Sequence, residues 1–436
     1  MHVAMIGAGY VGLVSGACFA DFGHDVTCID KDTTRVAALK RGEIPIFEPG
    51  LHELVEANMR QGRLAFAADN ASVGRADAVF IAVGTPSRRG DGHADLSFVY
   101  AAVREMAPLL SPTAVVVTKS TIPVGTGDEV ERILRECRGD AGIPVVSNPE
   151  FLREGAAIQD FKHPDRIVIG TDDMRARAVL AEIYRPLYLN EPPLIYVSRR
   201  TAELIKYAAN AFLATKITFI NEIADLCEQV GADVQEVARG IGLDNRIGSK
   251  FLHPGPGFGG SCFPKDTLAL LKTAQDYGVP LRIVETVSAV NDQRKRAMAR
   301  KVVAALDGSV RGKSVAVLGL TFKPNTDDIR DTPAIPLITA LQDLGASVRC
   351  YDPAGMEQAK TKLEGVAFCD GPYAAAQGAH AIVIATEWEQ FRALDLARLN
   401  SVMAQPVIVD LRNIYRVDEM RRAKFRYSAV GRAGVG

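Results

Sequence analysis

The chain lacks any long apolar run: nowhere do enough apolar residues follow one another to span a bilayer, which argues against a membrane-spanning helix. It also lacks an excess of either charge. Its 51 Lys and Arg stand against 52 Asp and Glu, a net charge of −1, so nothing points to nucleic acid or an anionic membrane as partner. Cysteine is sparse and scattered. Seven cysteines (18, 28, 137, 227, 262, 350 and 369) show no CxxC and no metal-like spacing, which points to reduced thiols in a cytoplasm and to no metal site. The early run Val3-Ala4-Met5-Ile6 leads straight into glycines and reads as a strand rather than the core of a signal peptide. At 436 residues there is room for two or three domains.

What is present begins with a nucleotide-binding pattern. The strand His2–Ile6 is followed by Gly7-Ala8-Gly9-Tyr10-Val11-Gly12, a helical run from Leu13 to Phe22, a stop at Gly23, and a second strand ending at Asp30. GxGxxG alone is weak, but strand, glycine turn, helix, strand and a following acid form the full dinucleotide-binding context. The glycines make the tight turn and let a pyrophosphate approach the helix N-terminus. Asp30 is placed for the adenosine ribose hydroxyls and favours NAD over NADP, whereas Arg35 could welcome a 2′-phosphate. Further strands, Ala78–Val83 and Ala114–Thr118, end at Gly84-Thr85-Pro86 and at Ser120-Thr121-Ile122-Pro123. Thr85 and Thr121 therefore either line the nicotinamide half of such a site or serve as ordinary turn and cap threonines.

From Thr201 to about Val230 helical periodicity continues without Pro or Gly, longer than the usual globular helix, and suggests a connecting rod. Lys206 and Asn210, four apart, project from one face of it. A second helix is expected from about Pro280 into Ala304. At Gly312–Leu320 a new strand and glycine turn open another βα pattern, continued by strands at Ser347–Tyr351, Ala381–Ala385 and Pro406–Asp410. The turn after its first strand lacks GxGxxG and offers Lys323 and Arg330, cations suited to a diphosphate or an interdomain contact. The fold class read from this is α/β: two Rossmann-like doubly wound domains joined by a long central helix. Residues 1–200 form the cofactor domain, 201–305 a helical dimerisation region, and 306–436 the second sheet domain. Tyr415 and Tyr427 near the C-terminus could be regulatory but read rather as ordinary surface tyrosines, and the glycine-rich tail from Gly431 as mobile.

The most telling stretch is Gly257-Phe258-Gly259-Gly260-Ser261-Cys262-Phe263-Pro264-Lys265-Asp266. Pro264 suits the first turn of a helix. A helix starting near Ser261 sets Cys262 at its positive end with Lys265 nearby, the surroundings that make a cysteine nucleophilic. Asp266, four residues on, shares its helix face.

Four motifs in order, Gly7 to Gly12, Asn148-Pro149-Glu150-Phe151-Leu152-Arg153-Glu154-Gly155, Gly259 to Asp266, and Phe322-Lys323-Pro324-Asn325-Thr326-Asp327-Asp328, resemble those of the UDP-glucose/GDP-mannose dehydrogenases over essentially the whole chain. Within that family, Leu252 to Gly260 and Pro164 to Gly170 are typical of the UDP-glucose branch. The resemblance implies NAD as cofactor, UDP-glucose as substrate, a homodimer, and a four-electron oxidation through a covalent adduct on Cys262. It implies that Lys206 stabilises an oxyanion with help from Asn210, that Asp266 positions or activates a water with Thr121, and that Glu154 is a further candidate at the hydrolysis step. Which group is the base in each half-reaction stays open. On the same footing the cofactor side uses Gly7, Gly9, Tyr10, Val11, Gly12, Asp30, Arg35, Thr85, Thr121, Glu154, Lys265 and Arg330. The sugar-nucleotide side uses Glu150, Phe151, Leu152, Arg153, Glu154, Lys206, Asn210, Phe251, Leu252, His253, Pro254, Gly255, Gly259 and Lys323. Arg35, Arg88-Arg89 and Asp331 depart from the family's usual residues.

Three other readings compete. GDP-mannose is the alternative substrate under the same mechanism. A two-electron hydroxyacid dehydrogenase shares the Lys and Asn pair but has no use for Cys262. A binding protein without catalysis would be expected to have lost Cys262, Lys206 or Asp266.

Overall fold

A computed structural model describes residues 1–88, 92–139, 142–190 and 192–434. Arg89, the second residue of the Arg88-Arg89 pair, lies outside the described residues. The chain divides into two compact units, Met1–Ala209 with Leu268–Val279, and Asn210–Thr267 with Pro280–Gly436.

The first unit is built on an eight-stranded sheet of β1 (His2–Ile6), β2 (Asp25–Ile29), β3 (Leu64–Ala67), β4 (Ala78–Ile81), β5 (Val115–Thr118), β6 (Val145–Ser147), β7 (Ile167–Gly170) and β8 (Leu194–Val197). Their spatial order is β3-β2-β1-β4-β5-β6-β7-β8, and every neighbouring pair is parallel except β6 with β7. Strands covered on both faces are apolar along their buried stretch, and β1 shows it from Val3 to Ile6. Val3 and Met5 enter one core with Phe19 and Phe80, while Ala4 and Ile6 enter another with Val79 and Ile81.

The second unit repeats the plan with β9 (Ser314–Leu318), β10 (Ser347–Tyr351), β11 (Val366–Phe368), β12 (Ala381–Ile384), β13 (Val407–Asp410) and β14 (Arg426–Ala429). They lie in the order β11-β10-β9-β12-β13-β14, all parallel. Alternate residues of β9 again serve two cores, Val315 and Val317 in one, Ala316 and Leu318 in the other.

The long helix predicted in the middle is observed as Arg199–Val230, and the later one as Arg282–Ala305. The first of these exposes Leu204, Phe212, Phe219 and Leu226. Among the described residues no helix is long and apolar enough to cross a membrane.

One expectation is overturned here and another is narrowed. Tyr415 and Tyr427 are buried, not surface tyrosines, because both close around the buried Asp410: the Tyr427 hydroxyl donates to Asp410 Oδ2 at 2.8 Å and the Tyr415 N–H to the same oxygen at 3.1 Å. The tail is tied down at its start, since the Gly431 N–H donates to Glu228 Oε1 at 2.7 Å and its carbonyl accepts from the Val234 N–H at 2.9 Å, while Val435 and Gly436 lie outside the described residues.

Candidate active site

The glycine turn after β1 has the shape its sequence requires. Gly7 has φ +101°, and a Cβ there would lie 2.7 Å from the Ala82 carbonyl oxygen. A Cβ on Gly12 would fall 1.8 Å from the Gly7 carbonyl oxygen, so the first helix packs on the turn only if position 12 is glycine. Gly9, the N-cap of the helix Tyr10–Asp21, faces open space instead. Closed behind and open in front, with a helix N-terminus beside it, this turn fits a dinucleotide pyrophosphate. Asp30 directly follows β2, with its Oδ2 accepting from the Ala8 N–H at 2.8 Å and from Arg35 Nη1 at 3.0 Å. Arg35 is thus spent on the carboxylate it was set against.

Tyr10 and Val11 open that helix, and the Tyr10 hydroxyl donates to Glu48, a residue sequence reasoning passed over. Glu48 Oε2 also accepts from the Gly155 N–H at 2.6 Å and its Oε1 from the Ala157 N–H at 2.7 Å. Burial, then the Glu48 carboxylate and more weakly Glu154, push the Tyr10 phenol far above its ordinary value. The Glu154–Gly155 segment is therefore fastened to the glycine turn through Glu48. Its only signal was an acid bracketed by Pro45, Pro49 and Gly50.

Beyond β5 and β6 the first unit gathers several expected residues. The Thr85 hydroxyl donates to the Thr121 carbonyl at 2.9 Å, and Thr121 lines a small cleft with Thr118, Ser120, Ile122, Ser147, Pro149, Glu203 and Lys206. Lys206 is 3% exposed, which rules out a solvated surface lysine, and its Nζ lies 3.1 Å from Glu150 Oε1. Burial opposes ionisation of Glu150, but Lys206, the Leu152 N–H and Lys119 together outweigh it and hold the carboxyl below its ordinary range. Phe151 has two cations against its ring, the Arg166 guanidinium 3.6 Å and Lys206 Nζ 5.3 Å from its centre. Arg153 turns to Asp160, Nη2 to Oδ1 at 2.6 Å. Lys119, also passed over, is buried directly after β5, a cation where an apolar strand had just ended.

In the second unit the glycine-rich run delivers Cys262 to the N-cap of the helix Phe263–Asp276, where the Cys262 carbonyl accepts from the Asp266 N–H at 2.9 Å. Its Sγ lies 3.7 Å from Ser261 Oγ. Asp266 is fully buried and held from two sides, by Asn210 Nδ2 at 2.6 Å and by an ion pair with Lys265. The run packs on the turn after β9. Gly260 has φ +81° and lies so close to Phe322 that a Cβ would sit 2.7 Å from the ring, and its N–H donates to the Arg330 carbonyl at 2.8 Å. A Cβ on Gly259 would lie 2.4 Å from the Asp331 carbonyl oxygen. Two of the four motifs are thus pressed together, with Lys323 Nζ 5.2 Å above the Phe322 ring and Arg330 paired to Asp328 at 2.8 Å. Upstream, Phe251 holds φ +65°, Leu252 and Pro254 are buried and His253 is exposed. The Gly255 N–H donates to Asn221 Oδ1 at 2.8 Å and its carbonyl accepts from Arg294 Nε at 2.7 Å.

Comparison with known proteins agrees with these motifs along the whole chain. Residues 1–188 match the NAD binding domain of the UDP-glucose/GDP-mannose dehydrogenase family, 200–293 its central domain and 316–417 its UDP binding domain. The chain belongs to this family. It is 68% identical to UDP-glucose 6-dehydrogenase of Rhizobium meliloti (strain 1021), over 99% of this chain and 100% of that one. UDP-glucose 6-dehydrogenase TuaD of Bacillus subtilis is 47% identical over 99% and 94%. A UDP-glucose dehydrogenase structure from Pyrobaculum islandicum superposes with a TM-score of 0.90 at 40% identity, covering 99% of this chain and 98% of that one. This family member is an NAD-dependent oxidoreductase.

Proposed function

We propose that the protein oxidises UDP-glucose at C6 to UDP-glucuronate, in four electrons, through an adduct on Cys262. The full-length 68% identity to a UDP-glucose 6-dehydrogenase carries the substrate and the reaction. Local geometry supports the route: a cysteine at a helix N-cap followed one turn later by a buried, hydrogen-bonded aspartate.

NAD supplies the hydride acceptor for both oxidations; the turn of Gly7, Gly9, Tyr10, Val11 and Gly12 would hold its pyrophosphate and Asp30 its ribose. Thr85, Lys265 and Arg330 complete the cofactor side in this reading. Alcohol oxidation yields a C6 aldehyde, whose carbon Cys262 Sγ attacks to give a thiohemiacetal. Oxidation of that adduct leaves a thioester, and water displaces Cys262 to release the carboxylate. Lys206, a compact cation in a dry setting, stabilises the oxyanion, and Asn210 assists. Asp266 orients the hydrolytic water with Thr121, and Glu154 acts at the same step. The sugar nucleotide is held by Glu150 to Arg153, Phe251 to Gly255, Gly259 and Lys323.

In the same reading residues 1–200 are the cofactor domain, 201–305 the dimerisation region and 306–436 the UDP-sugar domain. The exposed Leu204, Phe212, Phe219 and Leu226 of the long helix support a homodimer. Free cysteines at all seven positions support a cytoplasmic home. Turnover of UDP-glucose against GDP-mannose tests the substrate: a strong preference for GDP-mannose would overturn it.

A further inference from the structure

Lys119 is a buried cation that the reaction described above does not use. It follows β5 immediately, inside the first unit, with Nζ 5.8 Å from the Phe161 ring centre and 5.7 Å from that of Tyr184. An ammonium is kept in such a place only with partners. Lys119 has two: Nζ donates to Asn148 Oδ1 and to the Tyr184 hydroxyl, each at 3.0 Å. The Tyr184 hydroxyl in turn donates to Asn148 Oδ1 at 2.7 Å, closing a triangle. Asn148 is also pinned by its Nδ2 to the Val168 carbonyl at 2.8 Å and by its N–H to the Thr118 carbonyl at 2.9 Å. Two residues on stands Glu150, paired with Lys206.

We propose that Lys119 is a positioning residue for the Glu150–Lys206 pair: it fastens Asn148, two residues before Glu150 in the same loop, and its charge favours the ionised Glu150. This rests on the proposed reaction, in which Lys206 and Glu150 meet the sugar nucleotide. The charged groups acting on Lys119 are Glu150, from the loop after β6, and Lys206, from the long helix; Arg166 also acts on Glu150. Burial in the first place, and then Lys206, brings the Lys119 ammonium down to about 7 against the opposing pull of Glu150. Its charge thus fades within the working range of pH.

Lys119→Met tests the proposal. Methionine fits an aromatic setting, and Asn148 Oδ1 keeps the Tyr184 hydroxyl as donor, so no acceptor is orphaned. Removing a cation raises the pKa of every neighbour. The acid limb of the kcat–pH profile is therefore expected to move up by about half a unit or more, and the midpoint of pH-dependent UDP-glucose affinity, measured by calorimetry without NAD, to move with it. Tyr184→Phe removes one acceptor from the ammonium and should give a smaller shift in the same direction; it decides the matter if Lys119→Met does not fold. Profiles superimposable on wild type, at whatever kcat, would overturn the proposal. The wild type is assayed alongside: if it oxidises another nucleotide sugar, that sugar replaces UDP-glucose in both measurements, so the substrate reading fails separately from the role of Lys119.

Discussion

Asn210 Nδ2 lies 2.6 Å from Asp266 Oδ2, joining the long helix to the helix that Cys262 caps. The bond fixes the carboxylate one turn from the cysteine, and Lys265 holds its other oxygen. A buried carboxylate so held is shaped for one task, and in the proposed reaction that task is the water that releases the product.

Asp266→Asn should therefore stall the second half of the reaction. Asparagine preserves size, but it cannot accept a proton from water and sets an NH2 against Asn210 or Lys265. Turnover is expected to fall by about 10²- to 10⁴-fold. Intact-mass measurement after acid quench should show a UDP-glucuronyl thioester on Cys262. Slow turnover with unmodified enzyme would place Asp266 earlier in the sequence.

Gly260→Ala tests the packing of the two motifs. The left-handed backbone at φ +81° and the 2.7 Å approach to Phe322 both oppose a Cβ. A loss of about 1–3 kcal/mol in stability is expected, read by denaturant unfolding, with a fall in kcat as the cysteine run shifts. Alanine at Gly9, which meets nothing within 4 Å, should leave stability within about 1 kcal/mol of wild type and weaken NAD binding instead.

Lys119 also predicts a pH dependence of stability. Its folded value of about 7 lies below the ordinary 10.5, so the unfolded chain holds more protons between the two and stability rises with pH across that window. Lys119→Met has no such group. Melting temperatures of variant and wild type should therefore differ most in the variant's favour near or below about pH 7 and converge toward about pH 10. A difference that stays constant with pH would mean that Lys119 does not titrate in this window.

The strands readable in the sequence were β1, β2, β4, β5, β9, β10, β12 and β13, most of them marked by the apolar runs that sheets covered on both faces demand. Leu64–Ala67, Val366–Phe368 and Arg426–Ala429 are short and carry exposed or polar residues, so periodicity does not mark them. The antiparallel turn of β7 is set by pairing with β6 at Ser147 and Gly170, a tertiary fact with no local sign. Cys262, Asp266, Lys206 and Asn210 stood out because glycine runs and helix spacing carry chemistry in one dimension. Glu48 and Lys119 did not, since their partners lie far along the chain, at Tyr10 and Gly155 and at Asn148 and Tyr184. Tyr427 likewise reads as a surface residue until Asp410 is seen beside it.

The most direct test of the account is the number of NADH formed per UDP-glucose consumed, followed by absorbance with excess NAD+ for wild type and for Cys262→Ala. Two NADH per sugar for the wild type, with no net uronate from Cys262→Ala, is the predicted result. One NADH per sugar, or an unchanged rate of uronate formation without Cys262, would contradict the covalent four-electron route.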